Sequence, residues 1–311
     1  MRISNSEIQC FKRCRRKWWL AYYRRLALKR DRAYGPSAIG TRVHVCVALY
    51  YGQVQAVGQV KATEAALAYH AAMVEGAVDD FPEQEKDIRK DADLEDAILT
   101  GYFEWLEETG ADAGLRVVAA EQSVELPVRV GDQVVELSAK LDLRARRVHD
   151  GADMFLDHKT VQEFTTPTKS LTLDEQLKLY AWLLQQVTGE KVGGALYNML
   201  RKSKRTARAT PPFYERLSVT YSEQEIESFG TRLLGELEVM LNTRKRLDAG
   251  GNPLAVVYPS PNRNCHWDCP FFAVCGLIDR PNDKPDQLIA TLYEESDPYA
   301  RYAESGKGEL T

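Results

Sequence analysis

The sequence lacks the features that would place the protein in or across a membrane. Its 311 residues contain no unbroken stretch of about 18 apolar residues, the length that a membrane-spanning helix requires. The opening segment, MRISNSEIQC, also lacks the apolar core of a signal peptide. We therefore expect a soluble, cytoplasmic protein with no membrane partner.

Two further absences narrow the function. The formal net charge is only −4, so nucleic-acid binding cannot be argued from total charge and would require local basic patches. Gly35 and Gly40 bound an expected loop that opens a helix. Thr41-Arg42 follows this loop where a phosphate-binding loop needs lysine and then serine or threonine. No other stretch offers that motif, so nucleotide binding is not expected.

Cysteine is present, but its pattern does not suggest disulfides. In a reducing cytoplasm, six cysteines fit metal ligation, cluster ligation or buried thiols better than a disulfide framework. Cys265, Cys269 and Cys275 lie close together, with three and five residues between them. A site with four ligands needs one more, which His266 or a distant cysteine would supply. The spacing by itself leaves an iron–sulfur cluster, zinc and free thiols as alternatives.

The segment from Lys140 to Thr160 has the alternation of two half-buried strands. On the first strand apolar residues alternate with charged ones, namely Leu137, Ala139, Leu141 and Leu143 with Lys140, Asp142 and Arg144. The second strand is MFLDHKT, and Asp150-Gly151 between them favours a two-residue turn. Such a turn would place Asp142 opposite Lys159, with Asp157 as its diagonal neighbour.

Two carboxylates and a lysine on one face of a hairpin suit phosphoryl chemistry. Asp142 and Asp157 would hold a hard divalent cation such as Mg²⁺ or Mn²⁺, and Lys159 would orient a water and offset phosphate charge. The alternative is an exposed hairpin with a cross-strand ion pair, worth roughly 0.2–1 kcal/mol. Glu121 and Glu125, on the preceding strand, are candidates for further acidic groups of this site, although we favour their interpretation as surface carboxylates.

Periodicity predicts the remaining elements. A single helix is expected over residues 3–32, with Ser4 or Ser6 as its N-cap. Residues 60–110 have the pattern of acidic helices interrupted at Pro82, and a hairpin turns at Gly131-Asp132. The later predictions are a helix from about Leu173 to Gly189, a strand VGGALYNMLRK, a helix over roughly Ser222–Leu247, and a loose polar tail beyond Leu277.

Two basic segments are candidates for contact with a phosphate backbone. The first lies on the N-terminal helix, whose aromatic residues would stack on bases, and comprises Arg15, Arg16 and Lys17. The second is the loop RKSKRTARAT, which contains Arg201, Lys202, Lys204 and Arg205. For the helix, the alternative is an amphipathic helix with a solvated basic face.

Several motifs, each weak alone, occur in an order that resembles one family. They are GTRVH at Gly40–His44, Leu-Asp at Asp142, Asp-x-Lys at Asp157–Lys159 and Gln-x-x-x-Tyr at Gln176–Tyr180. The segment CRRKWWLAY at Cys14 and the three-cysteine cluster complete the set. Over nearly its full length the sequence resembles the RecB-like branch of the PD-(D/E)XK nucleases. It is most similar to cluster-bearing members such as the AddB nuclease domain, CRISPR-associated adaptation nucleases and phage exonucleases.

The resemblance implies a fold and a domain organisation. The fold would be α/β (α+β), with a restriction-endonuclease-like core in which helices flank a central mixed sheet. The N-terminal helical region would span residues 1–110 and supply Cys14 and His44. The nuclease core would follow at 111–250, an iron–sulfur segment that clasps the chain at 251–285, and a polar tail at 286–311.

The resemblance also implies roles for the acidic site. The ligands of Mg²⁺ or Mn²⁺ would be His44, Asp142, Asp157 and the backbone carbonyl of His158. Lys159 would orient or activate the water that attacks the scissile phosphate. Gln176 and Tyr180 would position the DNA strand or support the site.

For the cysteines, the resemblance implies a 4Fe–4S cluster whose ligands are Cys14, Cys265, Cys269 and Cys275. Cys10 and Cys46 would then be non-ligands. The family usually has two residues, not three, between the first two clustered cysteines. This departure keeps Cys10 and His266 as alternative ligands.

The implied activity is metal-dependent DNA hydrolysis from an end, as an exonuclease in recombination, repair or phage DNA processing. Its substrate would be single-stranded DNA or duplex ends, with a helicase or recombinase as a partner, in a bacterial or phage-infected cell. Two alternatives are a non-catalytic DNA-binding iron–sulfur protein and a zinc-stapled endonuclease of the same fold.

Overall fold

The computed structural model describes residues 1–29 and 32–303. Within these residues the chain forms two compact units. The terminal unit comprises residues 1–29, 125–139 and 227–303, and the central unit comprises 32–124 and 140–226. The terminal unit thus gathers segments from both ends of the chain, whereas the central unit contains every residue predicted for the acidic site.

The strands are Arg2–Ser4 (β1), Leu26–Leu28 (β2), Leu115–Val130 (β3), Gln133–Arg147 (β4), Asp153–Val161 (β5), Val192–Arg201 (β6), Tyr214–Val219 (β7) and Tyr293–Glu295 (β8). Gly131, between β3 and β4, has a φ of 58°, which glycine adopts readily. β3 pairs with β4 across this turn, which confirms the predicted hairpin at Gly131-Asp132.

The helices up to residue 200 are Asn5–Arg13 (α1), Arg15–Trp18 (α2), Pro36–Val57 (α3), Gln59–Asp80 (α4), Glu85–Thr109 (α5), Thr165–Ser170 (α6) and Glu175–Thr188 (α7). The later helices are Glu223–Asp248 (α8), Pro253–Val256 (α9), Cys265–Asp268 (α10), Phe272–Ile278 (α11), Pro285–Leu292 (α12) and Ala300–Ala303 (α13). A π-helical turn covers Trp19–Tyr23, and 3₁₀ turns cover Pro82–Gln84, Leu171–Leu173 and Pro281–Asp283. No helix among the described residues is long and apolar enough to cross a membrane.

The sheet of the central unit is mixed, as predicted. Its strands follow the order β4, β5, β6, β7, in which β5 and β6 are parallel and the other neighbours are antiparallel. Successive side chains of β5 point to opposite faces. Leu156 belongs to a core cluster with residues of α3 and α5, whereas the ring of Phe155 contacts Tyr180 of α7. Helices therefore cover both faces of β5.

Buried ion pairs join the three long helices of the central unit. Arg42 of α3 donates two hydrogen bonds to Glu95 of α5, with N···O distances of 2.7 and 2.8 Å. His70 of α4 lies 2.7 Å from the same carboxylate. Because a buried charge without a partner is costly, this three-residue set specifies how α3, α4 and α5 pack.

The terminal unit corrects two predictions. The expected helix over 3–32 is broken: Ser4 caps α1 by accepting a hydrogen bond from the Glu7 amide, but Cys14 is extended, at φ −163° and ψ 113°. The chain beyond Leu277 is not loose throughout, because α12 follows and β8 pairs with β2. A short polar sequence is a poor guide here, since pairing with a distant strand orders it.

Candidate active site

The pairing of β4 with β5 differs from the predicted register. Leu143 pairs with Leu156. A two-residue turn would have paired Leu143 with His158, so the observed register is shifted by two residues. The turn is longer: the Arg147 amide donates to the Ala152 carbonyl at 2.9 Å. Continued along both strands, the observed register places Asp142 opposite Asp157. The predicted pair of Asp142 with Lys159 is therefore wrong, although all three share one face.

The two carboxylates are held by groups of β5. The backbone amide of His158 donates to Asp142 Oδ2 at 2.7 Å. This amide therefore bonds to a side chain of β4 and not to a backbone carbonyl, the usual acceptor in a sheet. Lys159 Nζ donates to Asp157 Oδ1 at 3.1 Å and lies 2.9 Å from Oδ2. We refer to Asp142, Asp157, Lys159 and His44 as the acid site.

Burial dominates the electrostatics of these carboxylates. Burial raises the pKa of Asp142 to about 6, although Lys159 and the His158 amide lower it. Burial likewise raises the pKa of Asp157 to about 6, with Lys159 lowering it and the neighbouring charge of Asp142 raising it. One lysine thus does not compensate two buried carboxylates, and a divalent cation would.

A glycine brings α3 close to β5. Gly40 lies inside α3 and not in the loop, which ends at Gly35. A Cβ atom at Gly40 would lie 3.4 Å from the Thr160 hydroxyl, closer than most such contacts. His44 follows one helical turn later and therefore shares this face. The predicted Gly-x-x-x-His motif is in physical terms a close helix–strand approach followed by an imidazole at the site.

The His44 imidazole approaches the carboxylates in its neutral form. Its Nδ1 lies 3.7 Å from Asp142 Oδ2. Burial lowers the pKa of His44, and the Lys159 charge lowers it further, while Asp157 and Glu121 raise it. A neutral imidazole is the form that binds metal ions.

Helix α7 holds the lysine. Asp174 caps α7 by accepting from the Leu177 amide, which places Gln176 in the first turn. Gln176 Oε1 accepts from Lys159 Nζ at 3.2 Å, and Gln176 Nε2 donates to the Tyr180 hydroxyl at 2.6 Å. Burial lowers the pKa of Lys159, but Asp157 and Asp142 outweigh it, so the net shift is upward. Lys159 is therefore an ammonium at neutral pH.

The donor set fits a hard divalent cation. Asp142, Asp157 and His44 supply oxygen and nitrogen ligands of the kind that Mg²⁺ and Mn²⁺ accept. Asp157 Oδ2 is buried and accepts no hydrogen bond from the described part of the chain, although the Lys159 ammonium lies near it. In residues 1–29 and 32–303 no three His, Cys, Asp or Glu side chains already surround one ion position, so binding would draw these groups closer.

The four predicted cluster ligands lie together in the terminal unit. Cys14, Cys265, Cys269 and Cys275 line one cavity of about 250 Å³, which we call the cysteine cavity. Backbone amides donate to two of the sulfurs: Ser260 to Cys14 at 3.4 Å and Asn262 to Cys265 at 3.3 Å. Such N–H···S bonds stabilise the sulfurs of iron–sulfur clusters.

The remaining potential ligands lie elsewhere. Cys10 and His266 are absent from the lining of the cysteine cavity, and His266 is exposed. Cys46 belongs to the apolar core of the central unit. Burial raises the pKa of Cys10 and of Cys46 to about 12, so both are protonated thiols at neutral pH.

The basic residues predicted to contact DNA differ in availability. Arg16 is buried; it donates to both oxygens of Asp279 and to the Cys275 carbonyl. Arg15 lies over the rings of Phe11 and Tyr258, at 5.4 and 5.2 Å. Arg16 therefore holds the wall of the cysteine cavity and is not a surface contact.

The loop after β6 is similarly divided. Lys204 and Arg205 are paired with Asp93 and Glu104 of α5, at 3.3 and 2.5 Å. Arg201 donates to the Thr210 carbonyl at 2.9 Å. Lys202 forms no ion pair with any described residue, and burial lowers its pKa. Its backbone amide bonds to the Val161 carbonyl, at the end of the strand that carries Lys159.

Two residues beside the acid site were not predicted. Tyr197 pairs with Asp157 in the parallel β5–β6 ladder, and burial raises its pKa to about 12. No sequence signal marks a tyrosine whose role depends on strand pairing. Glu121 was interpreted as a surface carboxylate, yet it forms an ion pair with Lys140, two residues before Asp142. The sequence shows that residue 121 is acidic, but it does not show which neighbour the side chain contacts.

Three comparisons with known proteins address the family of this chain. A search of curated proteins finds no match. Among solved structures, "Crystal structure of SSO0001" is 16% identical, with a TM-score of 0.31, and covers 65% of this chain and 80% of that one. A family model described as the PD-(D/E)XK nuclease superfamily matches residues 2–276. With that match over most of its length, the chain belongs to the PD-(D/E)XK nuclease superfamily.

Proposed function

We propose that the protein is a metal-dependent deoxyribonuclease that hydrolyses DNA phosphodiester bonds as an exonuclease. The observation that carries the proposal is the acid site, in which Asp142 and Asp157 lie beside an ammonium held by a separate helix. Buried carboxylates with raised pKa values have a clear use as cation ligands.

In the proposed mechanism His44, Asp142, Asp157 and the His158 carbonyl would hold Mg²⁺ or Mn²⁺. The cation, when bound, supplies positive charge that stabilises the attacking water as hydroxide and the developing charge on the phosphate. Lys159 donates a hydrogen bond to the attacking water or to a phosphate oxygen. It is oriented for this by Asp157 and Gln176, and Tyr180 fixes the Gln176 amide.

The protonation state of Lys159 restricts its role. Its pKa lies above the ordinary value of lysine, because its two carboxylate neighbours outweigh burial. An ammonium is a poor general base, since it has no lone pair to accept a proton. Lys159 therefore orients the water and stabilises charge, and the proton of the attacking water would pass to bulk solvent.

We further propose that the cysteine cavity holds a 4Fe–4S cluster with a structural role. Four cysteines, two N–H···S bonds and the nearby cations Arg16 and Lys17 suit a thiolate-ligated cluster of net negative charge. Closing a loop of about 250 residues costs several kcal/mol of chain entropy, which cluster bonds would offset. A zinc site is the variant that metal analysis of anaerobically purified protein distinguishes.

An exonuclease that acts in recombination, repair or phage DNA processing needs a free DNA end. Support for this part comes from the resemblance of the motifs to nucleases that degrade DNA from ends. A helicase or recombinase is the proposed partner, because the sequence has no nucleotide-binding loop with which to unwind duplex DNA.

The test is cleavage of end-labelled DNA. Linear single-stranded, linear duplex and covalently closed circular DNA are incubated with Mg²⁺, Mn²⁺ or EDTA. We expect metal-dependent loss of linear DNA only, and no activity in Asp142→Ala or Lys159→Ala. Glu190→Gln, which alters a carboxylate paired with Arg146 at 3.5 Å, is the matched control. Equal activity of all variants would refute the site, and cleavage of circles would refute the exonuclease assignment.

A further inference from the structure

Strand β3 changes face shortly before Glu121. Leu115 and Val117 pack against the core of the central unit, as expected for alternate residues of one strand face. Beyond them it is Ala120 that packs there, and Gln122 and Val124 are buried. One residue in this stretch therefore breaks the alternation, as in a β-bulge.

The backbone at the break is in the left-handed region. Glu121 has a φ of 53°, a conformation that residues other than glycine, asparagine and aspartate seldom adopt. Such conformations cluster at functional sites, where the surrounding structure maintains them for the direction that they give a side chain. The direction taken by Glu121 is toward β4.

The Glu121 side chain meets a lysine next to the acid site. Glu121 Oε2 lies 2.5 Å from Lys140 Nζ. Lys140 precedes Asp142 by two residues on β4, so both side chains are on the same face. Burial raises the pKa of Asp142 most, and of the surrounding charges Glu121 raises it while Lys140 lowers it. Glu121 also raises the pKa of His44.

In this arrangement Lys140 does not compete with a cation for the Asp142 carboxylate. Lys140 is close enough to Asp142 to influence it, and a direct ion pair would occupy an oxygen that a cation needs. Glu121 gives the ammonium another partner. The Asp142 carboxylate then keeps only the bond from the His158 amide at Oδ2 among its hydrogen bonds with described residues.

We propose that Glu121 is a positioning residue that holds Lys140 away from Asp142, which leaves the Asp142 carboxylate to a cation. The inference concerns cation binding at the acid site, and it rests on the proposed function only in taking that site as the cation site.

Cation binding is tested without DNA. Mn²⁺ affinity is measured from the electron paramagnetic resonance signal of free Mn²⁺ in wild type, Glu121→Gln, Lys140→Gln and the double variant. We expect Glu121→Gln to weaken binding about tenfold, a usual size for loss of an outer contact. The double variant should return to within about threefold of wild type, because no lysine then competes for Asp142.

Two outcomes overturn the inference that Glu121 holds Lys140 away from Asp142. Wild-type affinity in Glu121→Gln shows that Lys140 does not compete. Equal weakness in the single and double variants shows that Glu121 is itself a ligand. Glu121→Gly keeps the test readable if Glu121→Gln folds poorly, since glycine accepts the φ of 53°. It should melt about 2–4 °C above Glu121→Gln while binding Mn²⁺ equally weakly.

DNA cleavage by the same variants is a separate readout. If the wild type cleaves nothing, the nuclease proposal fails on its own, and the Mn²⁺ measurements still decide the role of Glu121. Glu190→Gln is again the control.

Discussion

The acid site and the cysteine cavity are built in opposite ways. The acid site takes its carboxylates from two strands joined by a short turn, with Asp142 and the His158 amide only 16 residues apart. The cysteine cavity joins residues from both ends of the chain, and 246 residues separate Ser260 from the Cys14 sulfur that it contacts. The carboxylates of the acid site are therefore positioned by pairing of two strands that are close in sequence. The cysteine cavity is formed only when the two ends of the chain come together.

The two sites also differ in what they cost the fold. Buried carboxylates with raised pKa values destabilise the cation-free protein, because burial disfavours their charged form. The half-buried thiols of the cysteine cavity carry no such charge when protonated, and a bound cluster would add further bonds between the two ends of the chain, which β2–β8 pairing and the Arg16–Asp279 ion pair already join. We therefore expect mutations at the first site to affect catalysis and mutations at the second to affect folding.

The largest expected effect is on catalysis. Asp157→Asn should lower the rate of DNA cleavage by about 10³-fold or more, because it removes a charged ligand and the partner of Lys159. Iron and sulfide contents should stay at the wild-type level. Cleavage rates on end-labelled DNA, together with metal analysis of the same samples, check both statements. Loss of iron in this variant would contradict the separation of the two sites.

The second prediction concerns the cysteine cavity, where we expect substitutions to reduce iron content and stability. Cys14→Ser and Cys269→Ser should yield colourless, poorly soluble protein that melts on the order of 10 °C lower, since a lost staple destabilises the terminal unit. Cys10→Ser is the matched control, because Cys10 lies outside the cavity lining. Iron and sulfide determination and thermal melts are the measurements. Unchanged iron content in Cys14→Ser would sink the ligand assignment.

The third prediction concerns pH. The pKa of Asp142 and of Asp157 is about 6 in the fold, above the ordinary value of an aspartate in an unfolded chain. Their contribution to stability is thus present below the unfolded pKa of about 4 and is lost as pH rises through about 6. In EDTA we expect this loss to be on the order of 1–3 kcal/mol, and Mn²⁺ to restore stability at about pH 8.

Melts of wild type and Asp142→Asn across this pH range check the sign. The variant should lose less stability than wild type as the pH rises, because one of the two titrating carboxyls has been replaced. A wild-type stability that instead increases from about pH 4 to 7 in EDTA would show that the acid site does not dominate the titration.

The smallest expected effect separates two lysines of one loop. Lys202 has no ion-pair partner among the described residues, whereas Lys204 is paired with Asp93. Lys202→Gln should weaken DNA binding about three- to fivefold, and Lys204→Gln by less than about twofold, because a paired lysine offers less charge to phosphate. Binding is measured by fluorescence anisotropy at two salt concentrations. Equal effects of the two substitutions would contradict the prediction that Lys202, beside the end of β5, contacts DNA more strongly than the ion-paired Lys204.

Much of the fold was predictable from local pattern. The alternation of β4, the caps of α7 at Asp174 and Gly189, and the turn at Gly131 each follow from the preferences of a few neighbouring residues. The mixed sheet with flanking helices, which the family resemblance implied, is also confirmed. The single helix expected over 3–32 was wrong, because Cys14 is extended in the structure despite a helical sequence around it.

By itself the sequence identified the candidate residues: Asp142, Asp157, Lys159 and the clustered cysteines are visible as types and spacings, and the family resemblance added His44. Only the tertiary structure decided their geometry. A turn two residues longer than expected moved Asp157 opposite Asp142, and a left-handed residue turned Glu121 toward Lys140. Residue type is a local property of the chain, whereas register and direction depend on which strands and helices pack together.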